Sequence, residues 1–270
     1  MKISIVMAYY NRSSQLKNTL KSILYSANHS QVEVIIVDDA STELHRLENI
    51  ISDFDLDIKL LRIEPLDKKW VNPCIPFNIG FKKAIGDLII FQNPECLHVG
   101  DIISVSKMLI KNNTYINFGC YSTGKSNSDK FQSLSSFSAE SIHNMLAPMA
   151  SNAPSDDFED SWYNHPLHRP IGLHFCSAIM REDLFDLGGF DERYSQGIAY
   201  DDNDLIVRIQ RKKMEVNMIS EPFVVHQYHE TAPYNNNKEL ILKNKVIFED
   251  LLSWPTTYKA VETSLDRANL

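Results

Sequence analysis

The chain has 270 residues, of which 43% are hydrophobic, and a formal net charge of −8 at pH 7. This length suits one large α/β domain or two small ones, and the hydrophobic content excludes a globally disordered chain. The negative charge argues against a nucleic-acid surface, which normally needs clustered positive charge, so no nucleic-acid partner is predicted.

The four cysteines form no C-x-x-C pair, which predicts buried, reduced thiols rather than a zinc or redox motif. No apolar run reaches the roughly 18 residues of a membrane-spanning helix. The apolar N-terminus, Ile3–Ala8, is too short for a signal peptide. We therefore expect a soluble, cytoplasmic protein, and peripheral contact with a membrane stays open.

Strand and helix patterns alternate along the first part of the chain. Buried strands are predicted at Lys2–Ala8, Glu33–Val37, Ile58–Ile63, Leu88–Phe91 and Tyr115–Phe118. Helices are predicted from a cap at Ser13 or Ser14, from Thr42 with Leu44, Leu47, Ile50 and Ile51 inward, from Asn72-Pro73 to about Ala84, and over Val99–Ile110. Because these strands are continuously apolar, we expect a mostly parallel central sheet with helices on both faces.

The periodicity fades from Tyr121 to Gly172, and a stretch of this length inside a domain is usually functional or mobile. Regular structure is predicted at Ala139–Leu146, Leu173–Met180, Glu182–Leu187, Asp202–Lys212, Val216–Ile219, Phe223–Val225 and Asn237–Leu252. The predicted architecture is a single domain over residues 1–230 with a C-terminal helical extension over residues 231–270.

Polar residues follow two of the predicted strands, where ligands of parallel α/β sheets bind. Asp38-Asp39 could accept hydrogen bonds from a ribose or a base, although either could instead cap the next helix. Asn93-Pro94-Glu95 offers Glu95 as a ligand for a divalent cation, although a turn built on Pro94 explains the same residues.

Two further groups could carry chemistry in the second half of the chain. Asp201, Asp202 and Asp204 crowd one helix start, where the helix dipole favours acids and where crowding raises a pKa enough for a general base. His226 and His229 follow a strand and could supply a metal ligand, or simply be satisfied polar residues.

The order of these motifs resembles that of a family 2 glycosyltransferase of the GT-A type over about residues 2–230. The successive motifs are SIVMAYYNR, VIIVDDAS, NIGFKKAIGDLIIFQNPE, GGFDERY, YDDNDLIVR and VVH. The resemblance implies a nucleotide-sugar-binding half over residues 1–120 and an acceptor-binding half over residues 121–230. It implies inverting, metal-assisted transfer from a UDP-linked sugar to a glycan or polysaccharide, with Mn²⁺ or Mg²⁺ bound.

The resemblance also assigns roles to individual residues. It places Asp202 as the general base and Glu95 and His226 as metal ligands. Its nucleotide-binding positions are Ala8, Tyr10, Asp38, Asp39, Asn78 and Asn93, and its acceptor-binding positions are Trp162, Tyr163 and Asp201. Trp162 and Tyr163 could stack on sugar rings or serve as ordinary packing aromatics.

One departure from the family pattern keeps a second hypothesis open. Asn93 stands where the family has the first acid of its D-x-D metal motif, which favours a catalytically weak nucleotide-sugar-binding protein as the alternative. A nucleotidyltransferase is disfavoured, because the loop AYYNRSS after the first strand lacks the glycine that would help hold a triphosphate.

Overall fold

A computed structural model describes residues 1–133, 142, 144–145, 160–230 and 237–265. Among these, nine strands form one sheet: β1 Ile3–Tyr9, β2 Val32–Asp39, β3 Asp57–Ile63, β4 Leu88–Gln92, β5 Cys96–Val99, β6 Thr114–Ser122, β7 Ser161–Asn164, β8 Cys176–Met180 and β9 Glu215–His226. The helices are α1 Ser13–Leu24, α2 Glu48–Ile51, α3 Cys74–Lys83, α4 Ile102–Leu109, α5 Lys125–Ser133, α6 Arg181–Leu187, α7 Asp201–Arg211 and α8 Lys238–Leu252.

The sheet is mixed, with strand order β3-β2-β1-β4-β8-β6-β9-β5 and with β7 paired to β6. β1 runs parallel to both β2 and β4, and β2 runs parallel to β3. β8 then pairs antiparallel with β4 and with β6. The predicted α/β class is confirmed, and parallel pairing joins the first four strands and also β6 with β9.

The first strands are buried on both faces, as their unbroken apolar sequences require. Every residue of β2 is buried, and α3 packs closely on one side of β1 and β2. Gly80 allows this approach, because a Cβ there would lie 2.4 Å from Cγ1 of Val6. On the opposite face, α1 buries Leu16, Leu20 and Ile23.

Two predicted helices of the first half differ in the structure. The stretch from Thr42 forms a 3-10 turn, Glu43–His45, followed by the short α2, and Leu44 is 85% exposed rather than inward. The backbone of His45 is held instead by the Tyr9 hydroxyl, which donates to its carbonyl at 2.7 Å. Arg46 is extended at the end of this turn, and Leu47 enters the core.

The predicted helix over Val99–Ile110 begins later, because β5 precedes it and pairs with β9. Asp101 caps α4, with its side chain accepting a hydrogen bond from the Ser104 amide at 2.9 Å. The predicted serine cap of α1 is also wrong, since Arg12 occupies the cap position and makes no side-chain cap bond.

The second half of the chain completes the sheet and covers one end of it. The two predicted strands at residues 216–225 are one strand, β9. α8 docks through the buried Asn244, which donates to the carbonyls of Tyr194 and Ala199. The helix predicted at Ala139–Leu146 lies largely outside the described residues. Within the described part of the chain, no helix combines the length and apolarity needed to cross a membrane.

Candidate active site

The carboxyl ends of β1, β2 and β4 meet at one edge of the sheet, because β1 pairs in parallel with both neighbours. Tyr10 and Arg12 follow β1, Asp39 ends β2, and Glu95 follows β4. Ligands of open α/β sheets bind at such an edge. Residues far apart in sequence therefore form one candidate site.

The two carboxylates at the end of β2 have different roles. Asp38 is fully buried and accepts hydrogen bonds from the Ser41 amide and from Arg62, both at 2.9 Å. It holds the turn after β2 and does not line the neighbouring cavity, so its predicted contact with the nucleotide stays a prediction. Asp39 is instead turned toward Lys68, whose Nζ is 2.7 Å away, and toward Trp70, whose indole N–H donates at 2.9 Å. Burial raises the pKa of Asp39, and Lys68 acts in the opposite direction.

Asp39 lines the larger of two neighbouring cavities, which has a volume of about 470 Å³. Its walls are Ala8, Tyr9, Tyr10, Arg12, Asp39, Lys68, Trp70, Val71 and Pro73. The ammonium of Lys68 lies 4.3 Å from the centre of the Tyr10 ring, which fixes one aromatic wall by a cation–π contact. An aromatic wall beside a carboxylate acceptor suits a planar base with its ribose, and the predicted residues Ala8 and Tyr10 are both present.

A second group surrounds the buried carboxylate of Glu95. Nη1 of Arg12 lies 3.1 Å from its Oε2 and 3.3 Å from its Oε1. Nε2 of His226 and Nε2 of His229 lie 3.2 Å and 3.6 Å from Oε1, and the Asn93 amide donates to Oε1 at 3.3 Å. We call these five residues the Glu95 cluster. Burial alone would raise the pKa of Glu95, but the charge of Arg12 and hydrogen bonds from both histidines hold it well below its usual range.

The donor atoms of the Glu95 cluster fit a divalent cation. Ligand atoms of Glu95, His226 and His229 all lie within 4.8 Å of one another. Burial lowers the pKa of His226, despite the opposing effect of Glu95, and so favours the neutral imidazole that binds metals. One carboxylate with two imidazoles suits a transition ion better than Mg²⁺, which prefers oxygen ligands. Arg12 now occupies both oxygens of the carboxylate and would have to move aside.

The smaller cavity, of about 290 Å³, holds the acids at the start of α7. Asp201, Asp202 and Asn93 line it, together with Val71, Asn72, Pro73, His174, Phe175, Ile198 and Ala199. Burial raises the pKa of Asp202. Burial and the nearby charge of Asp202 raise the pKa of Asp201 to about 6. The third acid, Asp204, is instead paired with Arg208, whose Nε donates to it at 2.6 Å.

The segment before α3 is a wall common to both cavities, since Val71 and Pro73 line each of them. Between these two residues, Asn72 donates through its side chain to Asp201 at 2.9 Å. The amides of Val71 and Asn72 both donate to the carbonyl of Ser195, at 2.9 and 3.2 Å. The wall is therefore bound to the chain that leads into α7.

Two predicted site residues lie elsewhere. Asn78 is fully buried and bonds to both backbone groups of Phe190 and to Glu192, so it packs α3 against the loop that contains Phe190. Trp162 is 5% exposed and packs on Tyr121 and Phe223. The predicted roles of these two residues in binding the nucleotide and the acceptor stay predictions. Tyr163 lies closer to the site, with its ring 5.2 Å from that of His226.

Three residues of the site were missed in the sequence: Arg12, Lys68 and Asn72. Arg12 lies directly beyond the end of a predicted buried strand, and this position could have identified it as a candidate site residue. Lys68 and Asn72 belong to the connection after β3, where their contacts depend on tertiary structure alone. His98 and Asp101 also follow β4 and could in principle bind a metal ion, but both lie outside the site, since His98 bonds to Gln92 and Asp101 caps α4.

Residues 4–184 match the family model described as Glycosyl transferase family 2. The chain belongs to this family. Two curated relatives match over shorter stretches. An uncharacterized glycosyltransferase of Rickettsia conorii is 32% identical over 43% of this chain and 18% of its own length. The poly(ribitol-phosphate) beta-N-acetylglucosaminyltransferase TarP of Staphylococcus aureus is 28% identical over 44% of this chain and 36% of TarP.

Solved structures of glycosyltransferases share the GT-A fold with this chain. Staphylococcus aureus TarS in complex with UDP superposes with a TM-score of 0.58 over 91% of this chain and 65% of that one, at 16% identity. The mannosyltransferase PcManGT from Pyrobaculum calidifontis, in complex with GDP-Man and Mn²⁺, gives a TM-score of 0.53 over 94% of this chain and 72% of that one, also at 16% identity. At this identity the likeness shows the fold, which confirms the predicted GT-A type.

Proposed function

We propose that this chain is an inverting glycosyltransferase that transfers a sugar from a nucleotide-sugar donor to a glycan acceptor, with Asp202 as general base. The observation that carries the proposal is the shared wall between two cavities of different chemistry. One cavity presents Asp39 beside aromatic rings, and the other presents Asp202. The Glu95 cluster reaches the first through Arg12 and the second through Asn93.

This arrangement suggests how the donor lies across the site. The nucleoside occupies the larger cavity, where Asp39 can accept hydrogen bonds from the ribose or the base. The diphosphate passes the Glu95 cluster, and the sugar reaches the smaller cavity beside Asp202. The family relation supports a UDP-linked donor, because TarS has been crystallised with UDP and with UDP-GlcNAc.

Transfer needs a base on the acceptor side and a stabilised leaving group on the other. Asp202 accepts the proton of the acceptor hydroxyl as its oxygen attacks the anomeric carbon, and a single displacement inverts that carbon. Burial raises the pKa of Asp202, which makes the carboxylate a stronger base. A divalent ion held by Glu95, His226 and His229 would supply positive charge to the departing nucleoside diphosphate.

The acceptor is proposed to be a polymer. TarP, a relative that this chain matches, is named as an enzyme that acts on poly(ribitol-phosphate), which is a polymer. We assign Asp201, which lines the smaller cavity, and Tyr163, whose ring lies 5.2 Å from that of His226, to the acceptor side. The half-buried Ile198 and the exposed Ala199 line the smaller cavity, and we assign the approach of a chain end to this side.

The test is release of nucleoside diphosphate from a panel of nucleotide sugars, with Mn²⁺ and candidate glycan acceptors. Asp202→Asn should lower acceptor-dependent release by a factor of about 100 to 10,000, the usual contribution of a general base, while donor binding persists. Asp53→Asn, which removes an exposed carboxylate, is the matched control. Full transfer by Asp202→Asn would refute the assignment of the base.

A nucleotide-sugar-binding protein without turnover is the second candidate, favoured by the amide of Asn93 in place of an acid. Calorimetry with UDP and with UDP-sugars separates the two functions. Tight binding without release for any donor and acceptor pair would favour the binding function.

A further inference from the structure

Arg12 lies where the larger cavity meets the Glu95 cluster. Its Nη1 binds both oxygens of Glu95, at 3.1 and 3.3 Å, and its Nη2 is 3.4 Å from Nδ1 of His229. The same side chain lines the larger cavity and keeps 30% of its surface exposed. The guanidinium therefore touches the buried carboxylate while remaining accessible to a ligand in that cavity.

The Glu95 cluster is electrically balanced without a second cation. Glu95 contributes one negative charge, Arg12 contributes one positive charge, Asn93 is neutral, and both histidines are counted as neutral at pH 7. A site with two carboxylates would instead hold a net negative charge that a divalent ion must neutralise. This cluster therefore attracts a divalent ion less strongly, and a diphosphate bound beside it gains from a cationic group of the protein itself.

Lys68, the other cation of the larger cavity, is committed elsewhere. Its Nζ is 2.7 Å from Asp39 and lies over the ring of Tyr10. Arg12 is better suited to an anion, because a guanidinium presents a planar fork of N–H donors that matches phosphate oxygens in pairs. A diphosphate offers more such oxygens than the single carboxylate of Glu95 does.

We propose that Arg12 is a diphosphate-binding residue, whose guanidinium leaves Glu95 for the phosphate oxygens of the donor and stabilises the departing nucleoside diphosphate. This inference rests on the proposed function, since it takes a nucleotide sugar as the donor. Its consequence is that part of the affinity for the diphosphate needs no divalent ion.

The experiment compares binding of UDP and of uridine, each with EDTA and with Mn²⁺, by NMR titration. Arg12→Gln should weaken UDP binding in EDTA by about tenfold or more, the loss expected for hydrogen bonds to a charged group. Uridine binding should not change, because it reports the base and ribose contacts alone. Arg12→Lys should bind UDP in EDTA with an affinity between those of the wild type and Arg12→Gln, since it keeps the positive charge but loses the paired N–H donors of the guanidinium. Arg46→Gln removes an exposed charge that lines neither cavity, and it should match the wild type.

Three results would overturn the inference. Equal affinity of Arg12→Gln and wild type for UDP in EDTA would exclude a contact with the diphosphate. Parallel losses for UDP and uridine would show that Arg12 only supports the fold of the site. UDP binding by the wild type that requires Mn²⁺ would exclude the ion-independent contribution. Failure of the wild type to bind any nucleotide in either condition would instead refute the proposed function.

Discussion

The buried carboxyl of Asp201 should make the protein less stable at neutral pH than an uncharged side chain would. Burial, followed by the charge of Asp202, raises the pKa of Asp201 from 3.8 to about 6. A carboxyl whose pKa is raised by folding stabilises the fold below its unfolded pKa, and this contribution is lost as the pH rises through the folded pKa. The shift of about 2 pKa units corresponds to about 3 kcal/mol of unfolding free energy at pH 7.5.

Asp201→Asn removes this penalty and keeps an oxygen to accept the hydrogen bond from Asn72. At pH 7.5 the variant should be more stable by up to about 3 kcal/mol, which for a chain of this size raises Tm by roughly 5 °C. At pH 4.5 the same two pKa values leave a gain of only about 1 kcal/mol, because the wild-type carboxyl is then protonated in the fold. Urea unfolding at both pH values measures the two gains.

Asp53→Asn, at an exposed position, serves as the control and should change neither value. An equal gain for Asp201→Asn at both pH values would mean that packing, rather than charge, explains it. A loss of stability at pH 7.5 would refute the reasoning, since it would show that the ionised carboxylate contributes favourable contacts greater than its burial cost.

Three further predictions concern the Glu95 cluster, the larger cavity and the hydrophobic core. Glu95→Gln should lower kcat/KM with Mn²⁺ by about a hundredfold, the scale of a lost electrostatic contact to the leaving group, and more than Asn93→Ala does; the reverse order would contradict the assignment of Glu95 as the ligand. Asp39→Asn should weaken uridine binding by about tenfold in an NMR titration, because a charged hydrogen-bond acceptor is lost. Unchanged affinity would show that Asp39 does not contact the nucleoside. Gly80→Ala should lower the unfolding free energy in urea by about 1–3 kcal/mol, because its Cβ would lie 2.4 Å from Cγ1 of Val6; a variant of wild-type stability would show that α3 can shift without cost.

The parallel part of the fold could be predicted from sequence because its signals are local. Continuous apolar runs gave the first four strands within one or two residues, and Pro73 marked the start of α3. β5 escaped prediction because Cys96–Val99 is four residues long and acquires its strand conformation by pairing with β9, more than a hundred residues away. The helix predicted from Thr42 failed for a similar reason, since the contact between Tyr9 and the His45 carbonyl is tertiary.

Motifs at strand ends and at one helix start pointed to Asp39, Glu95 and Asp202, and the structure places Asp39 and Asp202 in the walls of the two cavities. The local sequence pattern did not show which of the adjacent acids Asp38 and Asp39 faces a cavity. Arg62 pairs with Asp38 and Lys68 pairs with Asp39, and both cations come from later in the chain. Asn78 belongs to one of the family motifs, but its side chain is hydrogen-bonded to the loop after α6.

The wall formed by residues 71–73 limits how the proposed glycosyltransferase can change its substrates. Because one short segment closes both cavities and is bonded to Ser195 and Asp201, a mutation that reshapes it for a different donor also moves the acid pair on the acceptor side. Exchange of this segment between family members should therefore succeed only together with the chain leading into α7. Donor and acceptor preferences are expected to evolve as a linked trait, and a library that varies residues 71–73 alone would sample mostly inactive variants.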